Sequence, residues 1–561
     1  MINTLLRLEF EHVFPDENEK DVLHYLKQIS SFTLLNIIGF SNTNPQPNFD
    51  NFASNMEVRN DIIERVIKYS RENDIREKPM LVSREASLRL AEIILSNRNE
   101  LIEENKNDDR DADEINLLKA FLVINKEVNS KQNLTASEDN FEKLVDMSIA
   151  MTFSTSDLGI FENNDLEFGK LIYATIIRFE LLIEFLQSNE EYGYLEKDLY
   201  LYFSQKSSNE VSKQMKYLFG KLLELKVKNG FKFQVDDKDS LSFLNSLASN
   251  EIIEDDDFTN LRNYPIYKIS DDTLSIIDFF FVVDKFYKSV KFILKSSFHK
   301  HNNLPARDRT FFEFFNTKFS EDFLMKRVLD KIFDKQYFVK KADLENQDNE
   351  PDYYVRHNKK VLLFENKDVL IAKDIKSSGD IERINGVIKS KFFEVNNRPI
   401  GVGQLITSIV QIVENNFIFD EFVNNQKNIT IYPILLINDR IFEILGINYR
   451  LNQWYLEKVK EKLGDKYNPN FIKPLTIIDI DTLIFWTPHL TKKDSNFKKI
   501  IDDHLNKMNT RKKVNHPDVE KGKLIANKNL TKQIAPISSR FNTYKFPMEL
   551  LIEKFKDVIT E

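Results

Sequence analysis

The chain has 561 residues, a formal net charge of −9 and no cysteine. That length exceeds one ordinary domain and points to roughly two to four. The missing cysteine excludes disulfides, thiolate metal sites and a cysteine nucleophile, and the acidic balance leaves any phosphate-binding surface to local charge. Acidic residues interrupt the opening MINTLLRLEFE, which reads poorly as a signal peptide. The most apolar stretch, Leu274–Val283, holds Asp278 and is too short for a bilayer. A cytoplasmic protein with no membrane association is expected.

Residues 1–230 read as a helical region. Glu57–Tyr69, Glu85–Leu95, Ile115–Ile124 and Leu171–Leu186 space their apolar residues for one helix face. The run Glu103–Glu114 sets Asp109, Asp111 and Asp113 as a calcium loop would. It puts Glu114 where glycine is needed and Ala120 where a bidentate Glu is needed, so a solvated linker is expected. Residues 231–310 read as a mixed α/β connector. Tyr264–Ile269 and the start of Thr273–Val283 suggest two short strands running into a helix. The basic, aromatic Lys285–Lys300 fits either a wet helix face or a nucleic-acid surface.

Residues 311–500 alternate helix and strand, the pattern of an α/β domain. Phe323–Phe333 spaces Leu324, Val328 and Ile332 as a buried helix face. Asp352–Val355 and Val361–Glu365 read as strands around Arg356-His357-Asn358-Lys359. Leu405–Val413 starts a further helix, and Ile429–Ile437 and Leu475–Ile480 have strand length. Residues 501–561 read as a basic tail carrying Arg511-Lys512-Lys513, Lys521, Lys523 and Lys528, closed by a helix at Pro547–Ile559.

The chemistry concentrates at Glu365-Asn366-Lys367. Residues two apart in a strand share a face, so Glu365 and Lys367 project together, and the hairpin brings Asp352 beside them. Two carboxylates and an ammonium suit phosphodiester hydrolysis. Mg²⁺ takes one or two carboxylates and keeps several waters, and a nearby lysine orients water or offsets phosphate charge. On this reading Asp352, Glu365 and the carbonyl of Asn366 are metal ligands, and Lys367 orients the attacking water. Mn²⁺ is the expected substitute ion.

Pro351-Asp352, a short hairpin and then Glu365-Asn366-Lys367 resemble the signature of the PD-(D/E)xK nuclease superfamily. Glu321 stands where members often carry an acidic residue on a preceding helix, with Asp322 as the alternative. Gln404 stands where many carry a glutamine at the start of a later helix. The strand Tyr432–Ile437 resembles a late core strand. The resemblance implies a restriction-endonuclease-like fold with a central mixed sheet, following the mainly helical N-terminal region of a multidomain chain. It also implies a Mg²⁺-dependent deoxyribonuclease, of the kind used in bacterial restriction or anti-phage defence. The polar Asn366 departs from the apolar residue common at its position and needs a hydrogen-bond partner if buried.

The segment Asp368–Arg398 supplies Lys373, Lys376, Arg383, Lys389 and Lys391 for phosphate contact, or is a solvated insertion. The sequence lacks a third glycine at dinucleotide spacing after Gly401-Val402-Gly403, a Walker-type Ser or Thr after Lys221, and any HExxH. DNA is the expected partner, with RNA the alternative, and the helical region is suited to a protein partner or self-association. Two rival readings stay open: a non-catalytic scaffold on a degenerate nuclease fold, and a ribonuclease on the same fold.

Overall fold

The computed structural model describes residues 7–42, 53–75, 79–102, 109–130, 141–158, 165–249, 251–255, 257–341, 350–396, 398–493, 495–509, 517–541, 544 and 548–556. The expected basic cluster Arg511-Lys512-Lys513 lies outside them. The chain forms two compact units. One comprises Asn3–Asn133, Leu158–Ala306 and Glu549–Glu561; the other comprises Met1–Ile2, Leu134–Asp157 and Arg307–Met548. Among the described residues no helix is long and apolar enough to cross a membrane.

The first unit is mainly helical. The acidic run does not stay a solvated linker through its end. A helix spans Arg110–Ser130, and Asp113 is buried in its first turn, accepting from the Ser30 amide at 3.1 Å and the Ser30 hydroxyl at 2.6 Å. A small antiparallel sheet is ordered β1 (Lys232–Gln234), β3 (Thr273–Ile276), β2 (Ile266–Lys268). The two expected strands do run into a helix, Phe279–Asp284, capped by the Asp278 side chain. Buried Arg84 joins this cap by an ion pair to Asp278. The lysines of 285–300 do not form one wet face. Lys285 and Lys291 are buried, and the Lys285 ammonium donates to the Tyr202 hydroxyl at 2.7 Å.

The second unit is built on a five-stranded mixed sheet ordered β10-β9-β6-β5-β4. Its strands are β4 (Val339–Lys341), β5 (Tyr353–His357), β6 (Lys360–Lys367), β9 (Thr430–Ile437) and β10 (Thr476–Asp479). A separate two-residue ladder pairs β7 (Glu394–Val395) with β8 (Arg398–Pro399). β4, β5 and β6 are antiparallel neighbours, while β6, β9 and β10 run parallel. The β5–β6 loop is Asn358-Lys359, and Asn358 takes a positive φ of 53°, which asparagine tolerates better than most residues.

Central strands buried on both faces read as continuous apolar runs, as β6 and β9 do. One face places Val361, Leu363, Ile431, Leu435 and Ile437 in a core shared with the helices Ile381–Phe392, Val402–Val413 and Ile447–Leu463. On the other face Phe364 meets Phe333, Tyr353 and Phe497. Proline is unusual in a central strand because it lacks the ladder donor. Around Pro433 the pairing steps from Ile431↔Ile472 to Ile434↔Thr476, three residues against four, so the missing N–H falls at a bulge.

Two features depart from the sequence reading. The segment before β4 is π-helical over Phe315–Met325 and α-helical only over Lys326–Ile332. The lysine-rich stretch after 504 is not a solvated tail throughout. It folds as the helix Val519–Ile534, which places Leu530 and Ile534 in the core.

The strand β5 is pinned by charge. Buried Asp420 accepts from the Tyr354 hydroxyl at 2.8 Å and from Arg356 Nε at 2.5 Å, and the Arg356 guanidinium lies 4.0 Å from the Phe422 ring centroid. Burial works to raise the Asp420 carboxyl, but Arg356 and Tyr354 overcome it and hold it below the usual range. Removing one partner of a buried pair leaves the other uncompensated, so Asp420→Ala is expected to cost about 3 kcal/mol at neutral pH. A carboxyl depressed in the fold contributes stability above its unfolded value and loses it as pH falls through the folded one. The gap between parent and variant should therefore close below the ordinary carboxylate range. Denaturant unfolding followed by the fluorescence of Trp454 and Trp486, both in this unit, measures it; a gap constant down to strongly acid pH would refute the assignment.

Candidate active site

Extending the β5–β6 register by one pair, from Tyr353↔Phe364, sets Asp352 opposite Glu365. Directly opposed residues of an antiparallel pair share a face, and Lys367 lies two residues on along the same face. Asp352 is fixed by the backbone of the facing strand: Asn366 N donates to Asp352 Oδ2 at 2.6 Å. The Lys367 ammonium stands 3.5 Å from Glu365 Oε2 and 3.9 Å from Asp352 Oδ2. Asn366 points to the other face, is buried, and accepts through Oδ1 from Asn438 Nδ2 at 2.7 Å. That bond supplies the partner its polarity demands.

Glu321 comes from the π-helix. This helix is tied to the residue after β6: Asn316 Nδ2 donates to the Asp368 carbonyl at 2.8 Å and Ser320 Oγ to Asp368 Oδ2 at 2.6 Å. Asp322, the sequence alternative, is engaged elsewhere, with Lys318 at 3.1 Å and Lys326 at 3.2 Å. Burial, then the charge of Asp352, pushes the Glu321 carboxyl up to about 8, with Lys367 opposing. Glu365 is fully buried; burial and Asp352 hold its carboxyl well above the usual range. Burial alone would lower the Lys367 ammonium, but Asp352, Glu365 and Glu321 together keep it raised.

Gln404 does not reach over these groups with its oxygen, which accepts from its own helix start, Gly401 N, at 2.7 Å. Gly401 itself touches the site. It has φ +51°, and a Cβ there would stand 3.2 Å from Lys367 Cε and 3.1 Å from the Phe392 carbonyl oxygen. The N-terminus of Val402–Val413 is thereby held against the lysine, with the partial positive charge that helix starts offer to anions.

The basic segment divides. Lys376 does not belong among phosphate contacts, because it is buried with its ammonium 2.8 Å from Asp157. Lys373 is exposed, Arg383 pairs with Asp374 at 3.0 Å, Lys389 lies 4.6 Å from the Trp454 ring centroid, and Lys391 is half-buried. Asp368, Ser320, Asn438 and Gly401 were not singled out by the sequence pattern. A glycine just before an apolar-periodic helix is a signal that favours Gly401; the other three are joined only by the fold.

The residues fit a hard divalent cation. Three carboxylates face one ammonium, and Glu365 Oε1 is buried with no hydrogen-bond partner, an arrangement that needs either a proton or a cation. Glu321, Asp352 and Glu365 are not all within 4.8 Å of one another. The Lys367 ammonium lies within 4 Å of both Asp352 and Glu365. Glu9, Glu11 and His12 in the first unit do lie that close. There, however, His12 Nδ1 accepts from Glu9 N at 3.0 Å and Lys126 sits 3.5 Å from Glu11. No family model, curated protein or solved structure matches the chain.

A carboxyl raised in the fold contributes stability below its unfolded pKa and loses it as pH rises through the folded one. For Glu321 the window runs from its ordinary 4.5 to about 8. In chelator, Glu321→Gln should gain on the parent by roughly 1 kcal/mol per pH unit across that window. Denaturant unfolding at several pH values checks this; a pH-independent difference would show that Glu321 does not carry the strain.

Proposed function

We propose that the second unit is a metal-dependent phosphodiesterase acting on DNA, on a restriction-endonuclease-like sheet of the PD-(D/E)xK type. The observation that carries this reading is the gathering of Asp352, Glu365, Lys367 and Glu321 at the end of β6, around a buried carboxylate oxygen without a partner. An antiparallel hairpin leading into parallel strands supports it.

Asp352 and Glu365, with the Asn366 carbonyl, would hold Mg²⁺ or Mn²⁺, which when bound supplies phosphoryl polarisation and a more acidic water. Lys367, paired in this structure with both carboxylates, would orient the attacking water or offset the negative charge that builds on the phosphate during displacement. The helix start at Gly401 adds backbone polarity on the same side. Water oxygen bonds to phosphorus as the bond to one sugar oxygen breaks, a water proton passes to a neighbouring carboxylate, and the departing oxygen takes up a proton from bulk water. On this reading Glu321, arriving from a separate helix, would hold that water. Lys373 and Lys391 remain available to the strand being cut.

The test is cleavage of supercoiled plasmid and linear duplex by the full chain with Mg²⁺, Mn²⁺ or chelator, beside an RNA panel. Lys367→Ala should lower the rate by about 10²–10³, compared at a temperature where circular dichroism shows the variant and the parent equally folded. Asp352→Asn should instead weaken the metal and be partly rescued by excess Mn²⁺, because a neutral amide is a poorer ligand for a hard cation. Cleavage by Lys367→Ala at the parental rate would remove this site from the reaction. Cutting of RNA alone would reassign the substrate.

A further inference from the structure

Beside the carboxylate site the second unit carries a groove of about 610 Å³, within the range of small-ligand sites, roughly 300–1,000 Å³. Gly403 bounds it, two residues from the Gly401 that packs on Lys367. Its aromatic wall is Trp454, half-buried on the helix Ile447–Leu463 and braced edge-on by Phe393 at 6.0 Å. The Lys389 ammonium lies 4.6 Å from the indole centroid, and Lys462 stands at the rim.

A second helix lines the groove with Gly386. Gly386 sits within the helix Ile381–Phe392, where glycine is less favourable than alanine. A Cβ there would meet nothing within 4 Å, and its backbone has no positive φ that demands glycine. Packing therefore does not explain it, and what its small size does is keep the groove wide. Charge narrows the choice of ligand. Lys389, Lys458 and Lys462 are balanced by Glu394, Glu457 and Glu461, and Lys458 is already paired with Glu461 at 3.1 Å. A wall so balanced does not suit the run of phosphates along a duplex. An indole face with one or two lysines suits a flat base and the phosphate attached to it.

We infer that the Trp454 groove is a stacking subsite for an unpaired nucleotide of the strand presented to the neighbouring site, with Trp454 stacking the base and Lys389 and Lys462 meeting its phosphate. The inference rests on the phosphodiesterase reading for the identity of that strand, but binding here needs no metal and no cleavage.

The experiment titrates the full chain with a short oligothymidylate in excess chelator. The chain has two tryptophans, and Trp486 is 3% exposed, so ligand quenching of tryptophan emission reports Trp454. Saturable quenching is expected from the single strand and not from a duplex of the same length. By anisotropy of a labelled oligonucleotide, Trp454→Ala should weaken binding about ten- to a hundred-fold. Gly386→Tyr fills open space rather than removing packing, so it should keep the parental melting temperature and weaken binding equally. Absent quenching, equal quenching by duplex, or undiminished binding by Gly386→Tyr would each overturn the inference. Quenching without cleavage under any metal would fail the phosphodiesterase reading alone. Cleavage without quenching would fail this one alone.

Discussion

The structure of the second unit turns on one carboxylate that has no access to water. Glu365 ends an apolar strand between two other strands, at 0% exposure, and its Oε1 has no donor. An isolated ionised carboxylate in that setting is too costly to persist, so it must hold a proton, an ammonium or a metal ion. Lys367 answers part of the need, with its ammonium 3.5 Å from Glu365 Oε2. Asp352 and Glu321 add to the repulsion that an ionised Glu365 would meet rather than relieve it. On the proposed reading a bound cation would offset that repulsion.

The elements around this centre act as its supports. The hairpin sets Asp352 opposite Glu365, and Asp420 holds β5 through Tyr354 and Arg356. Asp368 docks the π-helix that delivers Glu321. Gly401 lets a helix start approach the lysine as closely as it does.

Much of this centre was legible in the sequence because strand geometry is local. The alternation in Val361–Lys367 fixes which residues share a face, and the two-residue loop is short enough to fix the pairing with Asp352. Other parts depend on contacts between distant segments. Lys376 reads as a surface lysine, yet its partner is Asp157, 219 residues earlier. The helix Phe141–Phe153 folds into the C-terminal core through Val145, Ile149 and Phe153, against a sequence reading that gives residues 1–230 to one region. The helix Val519–Ile534 hides its two core contacts among lysines and asparagines, which made composition a poor guide there. The Trp454 groove joins three helical segments and has no linear signature.

The account stands or falls on whether the buried carboxylate binds a metal. Calorimetric titration of Mn²⁺ into the full chain at neutral pH, in buffers of different ionisation enthalpy, measures stoichiometry and proton release together. We expect one ion bound at this site with release of protons, because the raised carboxyls of Glu321 and Glu365 must ionise to accept it. Glu365→Gln should abolish that binding and Glu11→Gln should leave it intact. Binding that survives Glu365→Gln, or is lost only in Glu11→Gln, would contradict the assignment of Glu365 as the metal-holding centre of this protein.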